Sequence, residues 1–352
     1  MAYMVITGLL VGIVLGLVLQ RGRICFTGAF RDMLLTKDFR IFYAMLVVIA
    51  ISSIGFFVMG QLGIVNLPGP GSFNWLSVSL GGFVFGIGII MAGGCATGTW
   101  QRAGEGYISG WIALFGFILM AVMMRGGVFG GLREQLQSVS LGYNSISATM
   151  GLPMWIFVVI ITALALFLVV RELRKPKIAI PSPKPRKTGL AHLLFEKRWH
   201  PFITAIFVGI IAIVAWPISA ASGRNASIGI TTPSANILEY LITGDNVYIN
   251  WAVFLVIGIM VGAFFAAKAS KEFRLRVPDG RTCAASFLGG LTMGFGAVLG
   301  AGCTIGNGLI QTALMTWQGW TSLLFIILGT WTATYFAYIL PKNRRRTALA
   351  AG

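Results

Sequence analysis

Three of the four cysteines stand in one kind of setting. Cys25 lies in RGRICFTG from Arg21, Cys95 in GGCATG from Gly93, and Cys303 in GAGCTIGNG from Gly300. Cys283 opens an apolar run with no such glycines around it and reads as an ordinary small buried residue. A thiol can ligate a metal, attack another sulfur, or act as a weak hydrogen-bonding group. Zinc is a poor fit, because no C-x-x-C occurs and the only histidines, His192 and His200, lie far from every motif. A soft cation such as Cu(I) suits cysteine and methionine, but Arg23, Arg102 and Arg224 stand in or beside the motifs and would oppose a cation. A membrane thiol enzyme that forms a persulfide needs a thiolate, hence a neighbouring base, cation or helix N-terminus. No histidine or carboxylate adjoins Cys303 in the sequence, and a thiolate would repel a dianion. The reading these residues favour is neutral thiols donating weak S–H bonds to a polarizable sulfur, with backbone N–H groups at half-helix N-termini holding anionic oxygens. Weak contacts suit a site that must release what it binds. No metal and no cofactor is expected.

The glycines around these cysteines break helices, and broken backbone at membrane depth is tolerated where it is buried in protein or lines a polar cavity. The expected lining of such a cavity is Gly22, Arg23, Gly28, Gly93, Gly94, Gly98, Arg102, Gly223, Arg224, Gly229, Gly302, Gly306 and Asn307. Gly81, Gly82, Gly86 and Gly88 read instead as close-packing positions between helices.

The elements that position the motifs are apolar runs long enough to cross a bilayer. Of 352 residues, 57% are hydrophobic and 11% charged, which argues against a water-soluble fold. About nine spans are predicted: Met4 to Leu19, Ile41 to Gly60, Trp75 to Met91, Tyr107 to Met124, Leu152 to Val170, Phe202 to Ala220, Ile249 to Lys268, Cys283 to Leu299 and Trp320 to Leu340. The first is a retained span, since it ends in Gln20-Arg21-Gly22-Arg23 and not in a cleavage site. The net charge of +17 sits in short connecting segments without aromatic interleaving, so it indicates loops on one side of a membrane and no nucleic-acid partner.

The chain repeats itself. GGFVFGIGIIMAGGCATG from Gly81 aligns without gaps on GGLTMGFGAVLGAGCTIG from Gly289, and RGRICFTG from Arg21 pairs more weakly with SGRNASIG from Ser222. At the counterpart of Cys25 stands Ala226. Two repeats are expected, 1–170 and 201–341, joined by the basic, Pro-rich linker 171–200 and followed by a basic tail, 342–352. Placing the linker in the cytoplasm puts Arg31 to Arg40, Lys268 to Arg281 and Lys342 to Arg346 inside, the N-terminus outside and the C-terminus inside. Arg125, Arg133 and Glu134 then fall in an outer loop. The two repeats are inverted, which places a substrate site at their interface near the midplane. No nucleotide-binding loop is present to drive transport by ATP.

The three motifs, RGRICFTGAFRD, GGCATGTWQRAGEG and GAGCTIGNGL, resemble those of the YeeE/YedE-like sulfur-transport family over nearly the whole chain. The resemblance implies an all-α inner-membrane permease, an hourglass-shaped inverted-repeat bundle with re-entrant Gly-Cys loops. In it Cys25, Cys95 and Cys303 would relay thiosulfate through a constriction. It also implies a small cytosolic TusA-like sulfur-carrier partner. Some relatives are tied to selenium metabolism, so a selenium or other sulfur compound is the alternative cargo.

Overall fold

The structure is a computed structural model that describes residues 1–69, 71–175 and 199–342. Most of the expected linker and nearly all of the expected tail lie outside the described residues. The helices are α1 (Ala2–Gly22), α2 (Phe26–Leu35), α3 (Arg40–Gln61), α4 (Trp75–Met91), α5 (Ala96–Gly104), α6 (Ile108–Arg125), α7 (Gly130–Gln137), α8 (Ile146–Met150) and α9 (Met154–Leu173). Past the linker come α10 (Pro201–Ala221), α11 (Thr231–Thr243), α12 (Trp251–Ala269), α13 (Gly280–Leu299) and α14 (Trp317–Thr334), with a π-helical turn at Gly306–Gln311. A two-stranded ladder, β1 (Ser72–Phe73) against β2 (Leu141–Tyr143), ties two loops together. Among the described residues nine segments are long and apolar enough to cross a membrane, and each contains one predicted span or most of it. Large apolar side chains such as Leu10, Val58, Phe115, Phe167 and Leu324 face outward from the bundle. In water these would be a large exposed patch; in lipid they are solvated.

A single pattern recurs four times. A full-length helix ends, the chain turns through a left-handed residue, and a shorter helical segment begins: α1 to α2, α4 to α5, α10 to α11, and α13 to the π turn. The left-handed residues are Arg23 (φ 47°), Gly93 (71°), Gly223 (90°) and Ala301 (54°). This conformation ends a helix by turning its last carbonyls to new donors.

Packing follows the repeat. The helix α1 lies on α12 and α10 on α3; α6 lies on α13 and α14 on α4; α5 meets α12 while the π turn meets α3. Each pair is the other's image under exchange of the halves, and α4 with α13 and α1 with α10 pair across the exchange itself. Among the described residues five crossings lie between the starts of α1 and α10, the fifth being α9, a lightly buried helix on α3. An odd number starts the second set of four spans on the opposite side, so the halves are inverted.

Contacts at the helix ends sort the loops by side. Arg40 pairs with Glu172 at 3.2 Å, the Trp199 amide donates to the Arg21 carbonyl at 3.3 Å, and Arg23 pairs with Glu272. The Arg31 to Arg40 segment, the two described ends of the linker and the Lys268 to Arg281 segment thus share one face. On the other face, Arg125 pairs with Glu239 at 3.0 Å and Asn225 donates to the Asn66 carbonyl at 2.8 Å.

Candidate functional site

Cys25 and Cys95 are the N-caps of α2 and α5. Both have extended backbone, and each sulfur accepts the amide of the glycine three residues on, Gly28 at 3.4 Å and Gly98 at 3.5 Å. Occupying the sulfur as acceptor in the cap leaves the S–H available as a donor. Cys303 is placed by its carbonyl, which receives the Asn307 amide at 2.8 Å. Cys25 is half-buried, whereas Cys95 and Cys303 are 2% and 1% exposed. Cys25 and Cys95 border one cavity and Cys303 borders another. Cys283 is elsewhere, 3.9 Å from the Pro278 carbonyl.

The two cavities approach these cysteines from opposite ends of the molecule and share no lining residue. The first, about 470 Å³, holds Cys25 and Cys95 among Arg23, Gly98, Arg102 and Glu272. The second, about 390 Å³, holds Cys303 among Arg224, Gly229, Gly302, Gly306 and Asn307. Of the residues expected to line a pore, Arg23, Gly98, Arg102, Arg224, Gly229, Gly302, Gly306 and Asn307 border one of these cavities. Gly22, Gly28, Gly93, Gly94 and Gly223 line neither cavity. Their work is conformational or steric: Gly22 packs on Thr204, and a Cβ at Gly93 would lie 3.2 Å from Arg102 Nη1. Gly93→Ala should therefore cost about 1–2 kcal/mol of left-handed strain and push Arg102 off the turn. Thermal unfolding in detergent checks this, with Gly94→Ala as control, whose Cβ would meet Arg102 only at ordinary contact distance.

The arginines divide. Arg224 is braced, its Nη1 donating to the Ser219 hydroxyl at 3.1 Å and the carbonyls of Ala226 at 2.9 Å and Ser227 at 2.7 Å. It holds the third turn in shape while still bordering the second cavity. Arg23 is half-exposed and bonded to Glu272, which also accepts from Gln20 Nε2 at 2.8 Å. Asn307 is pinned in place, its Nδ2 donating to the Gly300 carbonyl at 2.6 Å and its Oδ1 accepting from Gln318 at 3.0 Å.

Motif reasoning missed the polar rims. Glu105, Glu272 and Arg276 border the first cavity; Arg125, Arg133 and Gln137 border the second. Arg125 and Arg133 were visible as charges in a loop on the less basic side; Glu272 gave no signal, lying 249 residues from Arg23. Burial pushes the Glu105 carboxyl above its ordinary value of 4.5, opposed by a hydrogen bond from Gln101 and the charge of Arg102. A carboxyl that binds its proton more tightly when folded lends stability below its unfolded value and loses it as pH rises through the raised folded one. Glu105→Gln should thus melt at or above the wild type at pH 7, with the advantage shrinking toward pH 4, as thermal scans at both pH values would record.

Among the described residues no cluster of three or more histidine, cysteine, aspartate or glutamate side chains could hold a metal ion. The cysteines, basic rims and opposed cavities suit passage of a small anion.

The sequence of this site has close counterparts. The chain is 52% identical over 348 residues to the thiosulfate transporter TsuA of Escherichia coli (strain K12), covering 99% of each protein. It is 33% identical over 349 residues to the thiosulfate transporter TsuA of Spirochaeta thermophila, covering 95% of this chain and 99% of that one. A 119-residue stretch is 37% identical to the probable transporter YedE of Escherichia coli (strain K12), 33% of this chain and 28% of that protein. A family profile described as sulphur transport spans residues 21–332, taking in all three cysteine motifs and both cavities. This multi-pass membrane protein is a transporter and belongs to the sulphur-transport family.

Proposed function

We propose that the chain is an inner-membrane permease that imports thiosulfate. The observation that carries the reading is that two cavities with no lining residue in common each hold motif cysteines, Cys25 and Cys95 in the first and Cys303 in the second. The basic face lies in the cytoplasm by the positive-inside rule, with the N-terminus outside and the C-terminus inside. The second cavity then opens outward, and an anion drawn to Arg125 and Arg133 meets Cys303 first, then Cys95, then Cys25. Neutral S–H groups donate weakly to the terminal sulfur and let it go, as a conduction path requires. The repeats 1–170 and 201–341 supply one half of the path each, and the linker 171–200 joins them in the cytoplasm. Sulfur carried in is received by a small TusA-like carrier protein at the first cavity.

The test is uptake of radiolabelled thiosulfate by cells that lack their own importers. Cells expressing the chain should accumulate label well above an empty-vector control, and unlabelled thiosulfate should compete better than sulfate or selenite. Label no higher than control, in an assay validated with a known importer, removes thiosulfate as cargo. Mass spectrometry of substrate-treated protein should show no persulfide on Cys25, Cys95 or Cys303, since the relay forms no covalent bond.

A further inference from the structure

Beside the three thiols lie four buried hydroxyls that the relay does not use. Thr27, Thr97, Thr231 and Thr304 are 3%, 2%, 8% and 1% exposed, and none of their hydroxyls has a hydrogen-bond partner among the described residues. Other buried hydroxyls are bonded, among them Thr99 to the Ala96 carbonyl at 2.6 Å, Ser227 to that of Ala212 at 2.6 Å and Thr330 to that of Ile326 at 2.7 Å. Two more lack a partner, Ser52 within α3 and Thr334 at the end of α14.

The four belong one to each turn. Thr27 and Thr97 stand two residues after Cys25 and Cys95, in the same C-x-T-G sequence. Thr304 follows Cys303 directly, and Thr231 opens α11, after the turn where Ala226 replaces a cysteine. A threonine inside a helix normally bonds the carbonyl three or four residues back. Thr27 and Thr97 sit in the first turn of α2 and α5, where the preceding chain is not helical and offers no such carbonyl. Thr97 lines the first cavity with Cys95, and Thr231 lines the second with Cys303. Leaving a buried hydroxyl unbonded is unfavourable, and two such hydroxyls facing the cavities call for a ligand.

We propose that these threonines form an oxygen-binding track beside the thiol track, with Thr97 and Thr231 contacting the anion in the two cavities. This rests on the thiosulfate reading and deepens it. The cargo has two chemically distinct ends, a polarizable terminal sulfur and a sulfonate with three oxygens. O–H groups are the stronger donors and suit the oxygens; S–H groups suit the sulfur. The third turn lacks a thiol yet keeps its hydroxyl, so oxygen contact is available in both cavities.

The experiment compares Thr97→Val and Thr231→Val with Thr97→Ser and Thr231→Ser, measuring thiosulfate uptake in cells and thermal unfolding of purified protein. Valine keeps the shape and removes the donor; where the hydroxyl has no protein partner, that change leaves unfolding unchanged or raises its midpoint. The expected result is uptake about tenfold lower in each valine variant, from loss of a hydrogen bond to a charged ligand, with the serine variants near wild type. Valine variants that carry thiosulfate at the wild-type rate overturn the proposal. So do serine variants that fall as far as valine, or valine variants whose unfolding midpoint drops along with uptake. Wild-type cells that take up no thiosulfate defeat the cargo reading itself, and this proposal with it.

Discussion

Cells expressing Cys303→Ser should take up thiosulfate at the background rate, while Cys283→Ser cells should match the wild type at equal expression. Cys95→Ser behaves like Cys303→Ser. The substitution is mild for the fold, because serine is a preferred N-cap and its oxygen can take the Gly98 amide that Cys95 Sγ now accepts at 3.5 Å. What changes is the donor: a smaller, harder hydroxyl bonds oxygens and water and gives a polarizable sulfur nothing comparable. Cys95 and Cys303 are buried and line the first and second cavities respectively, so an anion on the proposed path would meet both. Cys25 is half-buried at the side of its cavity, and Cys25→Ser should reduce uptake less sharply. Cys283 borders neither cavity and serves as control. Uptake that survives both buried substitutions leaves the fold standing and removes thiols from the mechanism.

Gly12→Val yields no folded protein. A Cβ at Gly12 would fall on the carbonyl oxygen of Leu255 and 2.8 Å from the Cα of Gly258, where α1 and α12 cross backbone to backbone. Gly258 returns the contact, its own Cβ direction meeting the Gly12 Cα at 2.8 Å. Small residues at such crossings are what bring membrane helices close enough for dispersion contacts to hold them. Separating two backbones is not a side-chain adjustment, so the cost exceeds the ordinary overpacking range of about 1–3 kcal/mol. A monodisperse size-exclusion peak in detergent should be present for wild type and for Gly126→Ala, whose Cβ would enter open space, and absent for Gly12→Val. A folded Gly12→Val protein would show that this crossing can open.

The spans were legible because lipid imposes length and apolarity on every crossing. Trp75–Met91 was bounded to the residue, and the other predicted spans differ from their helices by a few residues at the ends. The repeat was legible because Gly81, Gly86 and their partners Gly289 and Gly294 are held by backbone contacts that accept no side chain, leaving an alignable pattern. The half-helices α2, α5 and α11 were legible only as glycine breaks, since nine to thirteen residues carry no crossing signal. The pore lining was half legible. A glycine in a turn looks the same whether it opens a cavity, as Gly98 does, or supplies a left-handed bend, as Gly93 does. Arg224 had the right type and place, but only geometry shows its guanidinium tied to the Ala226 and Ser227 carbonyls. The Arg23–Glu272 pair depends on residues brought together by folding and leaves no local spacing to read.

The absence of any shared lining residue between the two cavities has an electrical consequence. If both are filled with solution, each sits near the potential of the side it opens to. The membrane voltage then falls across the thin layer holding Cys95 and Cys303, not across a full hydrocarbon thickness of about 30 Å. A divalent anion stepping through that layer crosses nearly the whole voltage at once, about 4.6 kcal/mol per 100 mV. With the cytoplasm negative, that step is uphill inward, so a steady inward flux requires the anion to be consumed inside or cations to travel with it. Clamping the voltage across proteoliposomes should change the flux steeply, with the full valence of the cargo.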